Sequence, residues 1–250
     1  MNVIISGFAW ILTPSHWATV NLGPGIGQRT LEHLGITVVA LLFTAIIAVP
    51  LGLYIGHTGR GRTVAIAASN ISRALPTLGL LSVLILLLGI GLLPVTIVLV
   101  ILGIPPLLAG VYAGLESVNR ETIDAARAVG MTELQILSKV EVPLAAALLL
   151  GGLRAATLQI IATVAVAATF SGGGLGNYVI SGVAQADYAQ MMGGAILITA
   201  LALVVDGLFA IIQRFVVPRG VSRGTSGRTT ARAGAIPVVA TTRTLIKEGQ

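Results

Sequence analysis

Apolar residues in this chain fall in long unbroken runs rather than in alternation with polar ones. Residues 33–57, HLGITVVALLFTAIIAVPLGLYIGH, hold no Lys, Arg, Asp or Glu. At about 1.5 Å per residue, such a run is long enough to cross a hydrocarbon core with some tilt. Pro50 is placed to kink it or to loosen its last turns. The stretch 63–91 is equally apolar but contains Asn70, Arg73 and Pro76, so it predicts either one broken helix or two short ones. Further runs follow over 93–115, with Pro105-Pro106 at its middle, over 144–170, interrupted by Arg154, and over 191–215, carrying Asp206. Each is apolar on nearly every face, which favours spanning a membrane over lying in its interface. The start, MNVIISGFAWILTPSHW, is too short an apolar run to span. It lacks the basic region and small-residue cleavage site of a signal peptide. It predicts an interfacial segment anchored by Trp10 and Trp17, or a short extra helix.

Composition confirms the class. Of 250 residues, 55% are hydrophobic and 10% charged, against about 25% charged in a soluble domain. Too few charges are present to cover a soluble surface, and the apolar content excludes a disordered chain. The absence of cysteine excludes disulfides and thiolate chemistry.

The net charge of +6 bears on topology first. Arg60 and Arg62 follow the first run. Arg120, Arg127 and Lys139 lie between the third and fourth. Arg214, Arg219, Arg223, Arg228, Arg232, Arg243 and Lys247 follow the last. With five spans, all of these fall on one side, which the positive-inside rule makes cytoplasmic. Arg29 alone falls on the other side. The expected fold is therefore an all-α integral membrane protein of about five transmembrane helices, N-terminus outside and C-terminus cytoplasmic. Six spans would break this partition unless the N-terminal segment also crossed. The expected divisions are an extracytoplasmic or interfacial segment 1–30, a transmembrane domain 31–217 and a flexible basic cytoplasmic tail 218–250. The tail is suited to anionic lipid headgroups. It has no aromatic interleaving or fold signal for nucleic acid.

Ionisable groups inside spans are costly and face protein or water. Arg73, Arg154 and Asp206 each lie nine or ten residues from the basic side, near 15 Å depth. Asp206 can thus pair with one of the two arginines, either as part of a gate or simply to satisfy packing. Asn70, Gln159 and Asn177 are candidates to line a path. The glycines of GGGLG, Gly174 among them, permit a tight turn or a short re-entrant helix. Gly151-Gly152 and Gly193-Gly194 permit close helix contacts. No phosphate-binding G-x-x-x-x-G-K-[ST], H-E-x-x-H or G-x-S-x-G occurs, and His16, His33 and His57 are scattered along the chain. The chain therefore reads as neither an enzyme nor a metal or nucleotide binder.

Residues 116–143, ESVNRETIDAARAVGMTELQILSKVEVP, hold five of the nine acidic residues and divide into two helical pieces. Asn119 can cap a helix over 120–129, and Gly130 can end it in a left-handed conformation. Thr132 and Gln135 form a capping box for a second helix, and Pro143 marks the next boundary. Ile123, Ala126 and Val129 share a face of the first piece. This describes either a surface helix that covers the bundle or a docking element for a cytoplasmic partner.

DAARAVG followed after nine residues by VEVP closely resembles the EAA signature of binding-protein-dependent ABC importer permeases. Asp124 replaces the family's Glu. Ala125, Ala126, Gly130 and Pro143 match directly, and Val140 and Val142 replace Ile and Leu. The resemblance extends from about Leu31 to Phe215. SRALPTLGLLSVL and FSGGGLGNYVISG are similar to the osmoprotectant branch, whose solutes are glycine betaine, choline, carnitine or proline betaine. It implies a permease fold in the cell membrane, with Asp124 to Gly130, Arg127 included, as a coupling helix seated on a separate ATPase dimer. It also implies a second permease copy or homologue and an extracytoplasmic substrate-binding protein. No cofactor is expected on this chain, ATP and magnesium belonging to the ATPase. The alternatives are an ABC importer of amino acids or other small solutes, or an ATP-independent secondary transporter.

Overall fold

The computed structural model describes residues 2–18, 24–171 and 173–216, excluding the side chains of residues 71–73 and 171. Its described elements are all helical. They are α1 (Val3–Leu12), α2 (Ile26–Thr58), α3 (Arg62–Ala74), α4 (Thr77–Leu88), α5 (Leu92–Glu116), α6 (Arg120–Ala128), α7 (Glu133–Ile136), α8 (Val142–Ser171), α9 (Gly176–Ala184) and α10 (Tyr188–Val216). A π-helical turn, Leu137–Glu141, joins α7 to α8. Residues 217–250 lie outside the described residues, and the expected tail lies there.

Among the described residues, four helices are long and apolar enough to cross a membrane: α2, α5, α10 and the continuous run from Glu133 to Phe170. The stretch 63–91 is two helices, α3 and α4, broken at Leu75-Pro76. Pro76 disfavours helical geometry at Leu75, whose backbone is extended at φ −70°, ψ 127°. The prolines of α2 and α5 do not end their helices. The first run begins at Ile26, ahead of the residue 31 expected for the domain, and the apolar start forms the short helix α1.

α5 is central, packed along α2 on one side and α8 on the other. Ala40 of α2, Leu81 of α4, Val95, Val98 and Leu99 of α5, and Ile160, Val164 and Ala167 of α8 form one buried cluster. A second, built on Ala48, Leu107, Leu108, Val111 and Ala156, continues toward the charged end. Small residues set the helix spacing: a Cβ on Gly110 of α5 would stand 2.4 Å from the Gly152 Cα of α8. Outward faces are apolar instead of polar, with Ile46 67%, Leu86 85% and Leu203 66% exposed. That is the reverse of a soluble surface and suits contact with lipid. Hydroxyls within the spans bond their own helices: Thr44 Oγ1 donates to the Ala40 carbonyl, Thr157 to Leu153 and Thr163 to Gln159, each at 2.8 Å. Without water, a polar group needs a partner of this kind.

At the end opposite α6, the helices α1, α9 and α10 pack together. Gly7 lies under Met192, and Gly193 under the Trp10 indole. Gly194 meets Tyr178 and Val179, whereas Gly151 faces open space, unlike its neighbour Gly152.

Candidate functional site

Three regions carry the candidate residues. The first is the charged end, built on α6 and α7. The Asn119 side chain accepts from the Glu121 N–H at 3.0 Å and caps α6. The helix stops where Gly130, at φ +85°, turns left-handed. Gly130 N–H donates to the Arg127 carbonyl at 2.9 Å and Met131 N–H to the Ala126 carbonyl at 3.1 Å. This nested pair is a Schellman ending, which only glycine enters without strain. Thr132 and Gln135 complete the capping box of α7.

Pro143 does not mark a boundary, contrary to the expectation from sequence. The chain stays helical from Glu133 into α8 through the π turn, where Val142 N–H reaches back to the Leu137 carbonyl. A proline ring collides with the carbonyl four residues earlier in a regular helix. The wider turn just before Pro143 accommodates that group.

The apolar face of α6 divides. Ala126 is buried and Ile123 packs on Leu115, Val118 and Ala145. Val129, expected on the same face, is 79% exposed, and Leu134 of α7 is 75% exposed. Asp124, Ala125, Arg127 and Gly130 are exposed on the same segment, and Pro143 is exposed in the first turn of α8. Arg127 donates to Glu133 through Nε at 2.8 Å and Nη2 at 3.1 Å, and to Asp124 at 3.1 Å. The Glu133 bond holds the guanidinium above its usual pKa, so Arg127 stays charged throughout.

His57 was missed by sequence reasoning. It ends α2, and its Nδ1 lies 2.6 Å from Glu141 Oε2 and its Nε2 3.2 Å from Glu133 Oε2. Its partners are 76 and 84 positions distant in the chain, so no local pattern announced the cluster.

The second region lies along the spanning helices, where the Arg154 and Asp206 side chains are about a third exposed, at 33% and 31%. Arg154 of α8 donates through Nε and Nη2 to the two carboxylate oxygens of Asp206 on α10, both at 2.5 Å. Arg154 is thus a partner that equal depth allowed, while the Arg73 side chain lies outside the described residues. Gln159 lines an open cavity of about 310 Å³ with Leu102, Pro105, Pro106 and Ala155, and with Leu75 and Thr77 from the α3–α4 break. Asn70 is on the exposed part of α3 and does not line it.

The third region is the opposite end. Gly174, at φ +75°, lies on the buried His33, and its N–H donates to Glu32 Oε2 at 3.1 Å. Glu32 is also bridged to Arg29 at 2.9 Å. Gly174 thus makes a tight turn leading into the nine-residue α9. Asn177 and Tyr178 of α9 line a separate cavity of about 530 Å³ with Trp10, His16 and Arg29. Tyr178 Oη donates to the Pro24 carbonyl at 3.0 Å, and burial raises its phenol pKa. The structure therefore does not bring Asn70, Gln159 and Asn177 into one path within a single chain.

Residues 48–220 match the model of the family described as "Binding-protein-dependent transport system inner membrane component". The chain is 33% identical to the choline transport system permease protein OpuBB of Bacillus subtilis (strain 168), over 78% of this chain and 90% of that protein. It is 34% identical to the glycine betaine/carnitine/choline transport system permease protein OpuCB of the same organism, over 77% and 88%. Among solved structures, a chain from the MetNI methionine ABC transporter in an inward-facing conformation is similar at TM-score 0.66 and 26% identity, over 75% of this chain and 94% of that one.

Proposed function

This chain belongs to the family of binding-protein-dependent transport system inner membrane components, and on that premise we propose that it is the permease subunit of an ATP-driven importer for quaternary ammonium osmoprotectants such as glycine betaine, choline or carnitine. It is a multi-pass protein of the cell membrane, and its role is passage and coupling, not catalysis. One observation carries the coupling role. A helix that merely covered the bundle would turn all its apolar residues inward. Here Val129 and Leu134 stand 79% and 75% exposed at the tip of a rigidly capped helix-turn-helix. Exposed apolar side chains ringed by Asp124, Arg127 and Glu133 suit a protein groove. The groove belongs to a separate ATPase dimer, with Asp124 to Gly130 as the contact.

The basic residues put this end in the cytoplasm. The same reading has five traverses, α3 and α4 together making one, with the N-terminus outside and residues 218–250 a cytoplasmic tail. A second copy or homologous permease completes the path, and an extracytoplasmic binding protein delivers the solute. Among the described residues, the cavity beside Gln159 is lined without an aromatic side chain. Cation–π selection of a quaternary ammonium group therefore falls mainly to the binding protein. The permeases at 33% and 34% identity favour this solute class over amino acids.

The test is uptake of radiolabelled glycine betaine, choline and proline into proteoliposomes containing the chain, its ATPase and its binding protein. ATP-dependent uptake of betaine or choline is the expected result. Uptake of neither, with the ATPase bound, overturns the solute class. Uptake by the chain alone without ATP overturns the importer class.

Arg154 and Asp206 hold α8 to α10 at mid-depth, and we assign them to the gate. Asp206→Asn leaves the guanidinium without its counter-charge and is expected to cut the amount of assembled protein severely. Arg154→Gln with Asp206→Asn removes both charges and is expected to restore assembly but not uptake. Restored uptake in the double variant would reduce the pair to a packing role.

A further inference from the structure

We propose that His57 is the joint through which displacement of the coupling segment reaches the spanning helices, a positioning role that rests on the coupling reading above. His57 sits in the last turn of α2, its side chain 15% exposed, with a carboxylate at each ring nitrogen: Glu141 at 2.6 Å and Glu133 at 3.2 Å. Glu141 is hydrogen-bonded at Nδ1 and the Glu133 carboxylate faces Nε2, so a single imidazole sits between two acidic side chains from different parts of the chain.

The two arms differ. The Glu141 carboxylate is 3% exposed, in the π turn that opens α8. A buried carboxyl group cannot lose its hydrogen-bond partner without a large penalty, so this arm fixes α2 to α8. The Glu133 arm is longer and open to water, Glu133 being 56% exposed. Glu133 also takes two of the three Arg127 bonds, and the third goes to Asp124. One line of polar contacts, Asp124–Arg127–Glu133–His57–Glu141, therefore runs from the proposed ATPase contact on α6 to the ends of two spanning helices.

Two further features fit a moving joint. The π turn at Glu141 is a local widening of the kind that recurs at functional sites. A cavity of about 370 Å³, lined by His57, Arg62, Glu116, Arg120, Arg127 and Glu141, lies beside the line of contacts. It gives these side chains room to shift as α6 is pushed. The packing of Ile123 of α6 on Leu115, Val118 and Ala145 is apolar and without direction. The His57 joint adds a directional link to α2, which α6 does not adjoin in sequence.

The experiment uses the full complex of permease, ATPase and binding protein in proteoliposomes. His57→Gln, Glu141→Gln and the double variant are each scored for assembled complex and for solute imported per ATP hydrolysed, with radiolabelled glycine betaine or choline as the probe. Each single variant is expected to assemble and hydrolyse ATP while solute per ATP falls roughly fivefold or more, the lower range of coupling between sites. In the double variant two neutral amides face each other and can bond, and the ratio is expected to return toward wild type. A wild-type ratio in the single variants overturns the proposal. Loss of assembly in all three also overturns it, because the cluster is then only structural. The underlying coupling reading fails separately, if a bulky residue at Gly130 leaves uptake intact.

Discussion

Gly152→Leu is expected to leave almost no assembled protein in the membrane. At this crossing α5 and α8 touch backbone to backbone. A Cβ at position 152 would lie 2.8 Å from the Gly110 Cα and 3.2 Å from the carbonyl oxygens of Leu107 and Pro106. None of these is the far end of a flexible side chain, so the collision is relieved only by moving one helix off the other. That separation would open the clusters around Ala156, Leu107 and Leu108, on which α2 also packs. A cost of about 3 kcal/mol or more follows from overpacking at a site that cannot relax. Between helices in lipid, such close packing is itself a main source of association. Gly151→Leu is the matched control, since a Cβ there meets nothing within 4 Å in this chain. Detergent-extracted, size-resolved protein measured for both variants decides the matter. Normal assembly of Gly152→Leu would show that the α5–α8 crossing is wider than described.

The second large effect is expected at Gly130, on transport and not on assembly. Gly130 has φ +85° and open space around it. A β-branched residue there meets no neighbour and suffers only from the backbone conformation, which costs about 1–2 kcal/mol outside glycine. Such a cost does not unfold a bundle of this size. It does favour a different turn between α6 and α7, one without the bonds from Gly130 to Arg127 and from Met131 to Ala126. The Arg127–Glu133 bridge spans the same turn, so the helix with Val129 at its tip is re-aimed. Gly130→Val is therefore expected to assemble normally and to lose most ATP-driven uptake, roughly tenfold or more. Gly89→Val tests specificity: Gly89 has a similar φ of +86° and no neighbour within 4 Å, but it lies between α4 and α5, at the end remote from α6. It is expected to retain uptake. Wild-type uptake by Gly130→Val in an assembled complex would remove the coupling role from this segment.

Wherever the physics was local, the sequence sufficed. Runs without charge demanded a membrane, because backbone bonds there can close only within helices. The Thr132–Gln135 box and the left-handed Gly130 were legible because caps and positive φ are settled within a few residues. Proline was legible only in part. Pro76 does break its helix, but Pro50, Pro105 and Pro106 sit inside continuous ones. A π turn ahead of Pro143 carried the helix past the expected stop. Proline's cost is local, but whether the helix stops there depends on what the surrounding backbone does, as the π turn before Pro143 shows.

What tertiary structure decided was partnership. Depth counting made Asp206 available to Arg73 or Arg154, and the packing of α8 beside α10 joined it to Arg154. The spacing of Ile123, Ala126 and Val129 predicted one apolar face. Only the point where the bundle ends showed that Ala126 is covered and Val129 is left bare. His57, Glu133 and Glu141 each looked like an ordinary polar residue near a helix end. The folded chain placed two carboxylates on one imidazole. Hydrophobic periodicity is written in neighbours along the chain, so one sequence reveals it. Charge pairing depends on distances between helices, which are fixed only once glycines such as Gly110 and Gly152 have let those helices meet.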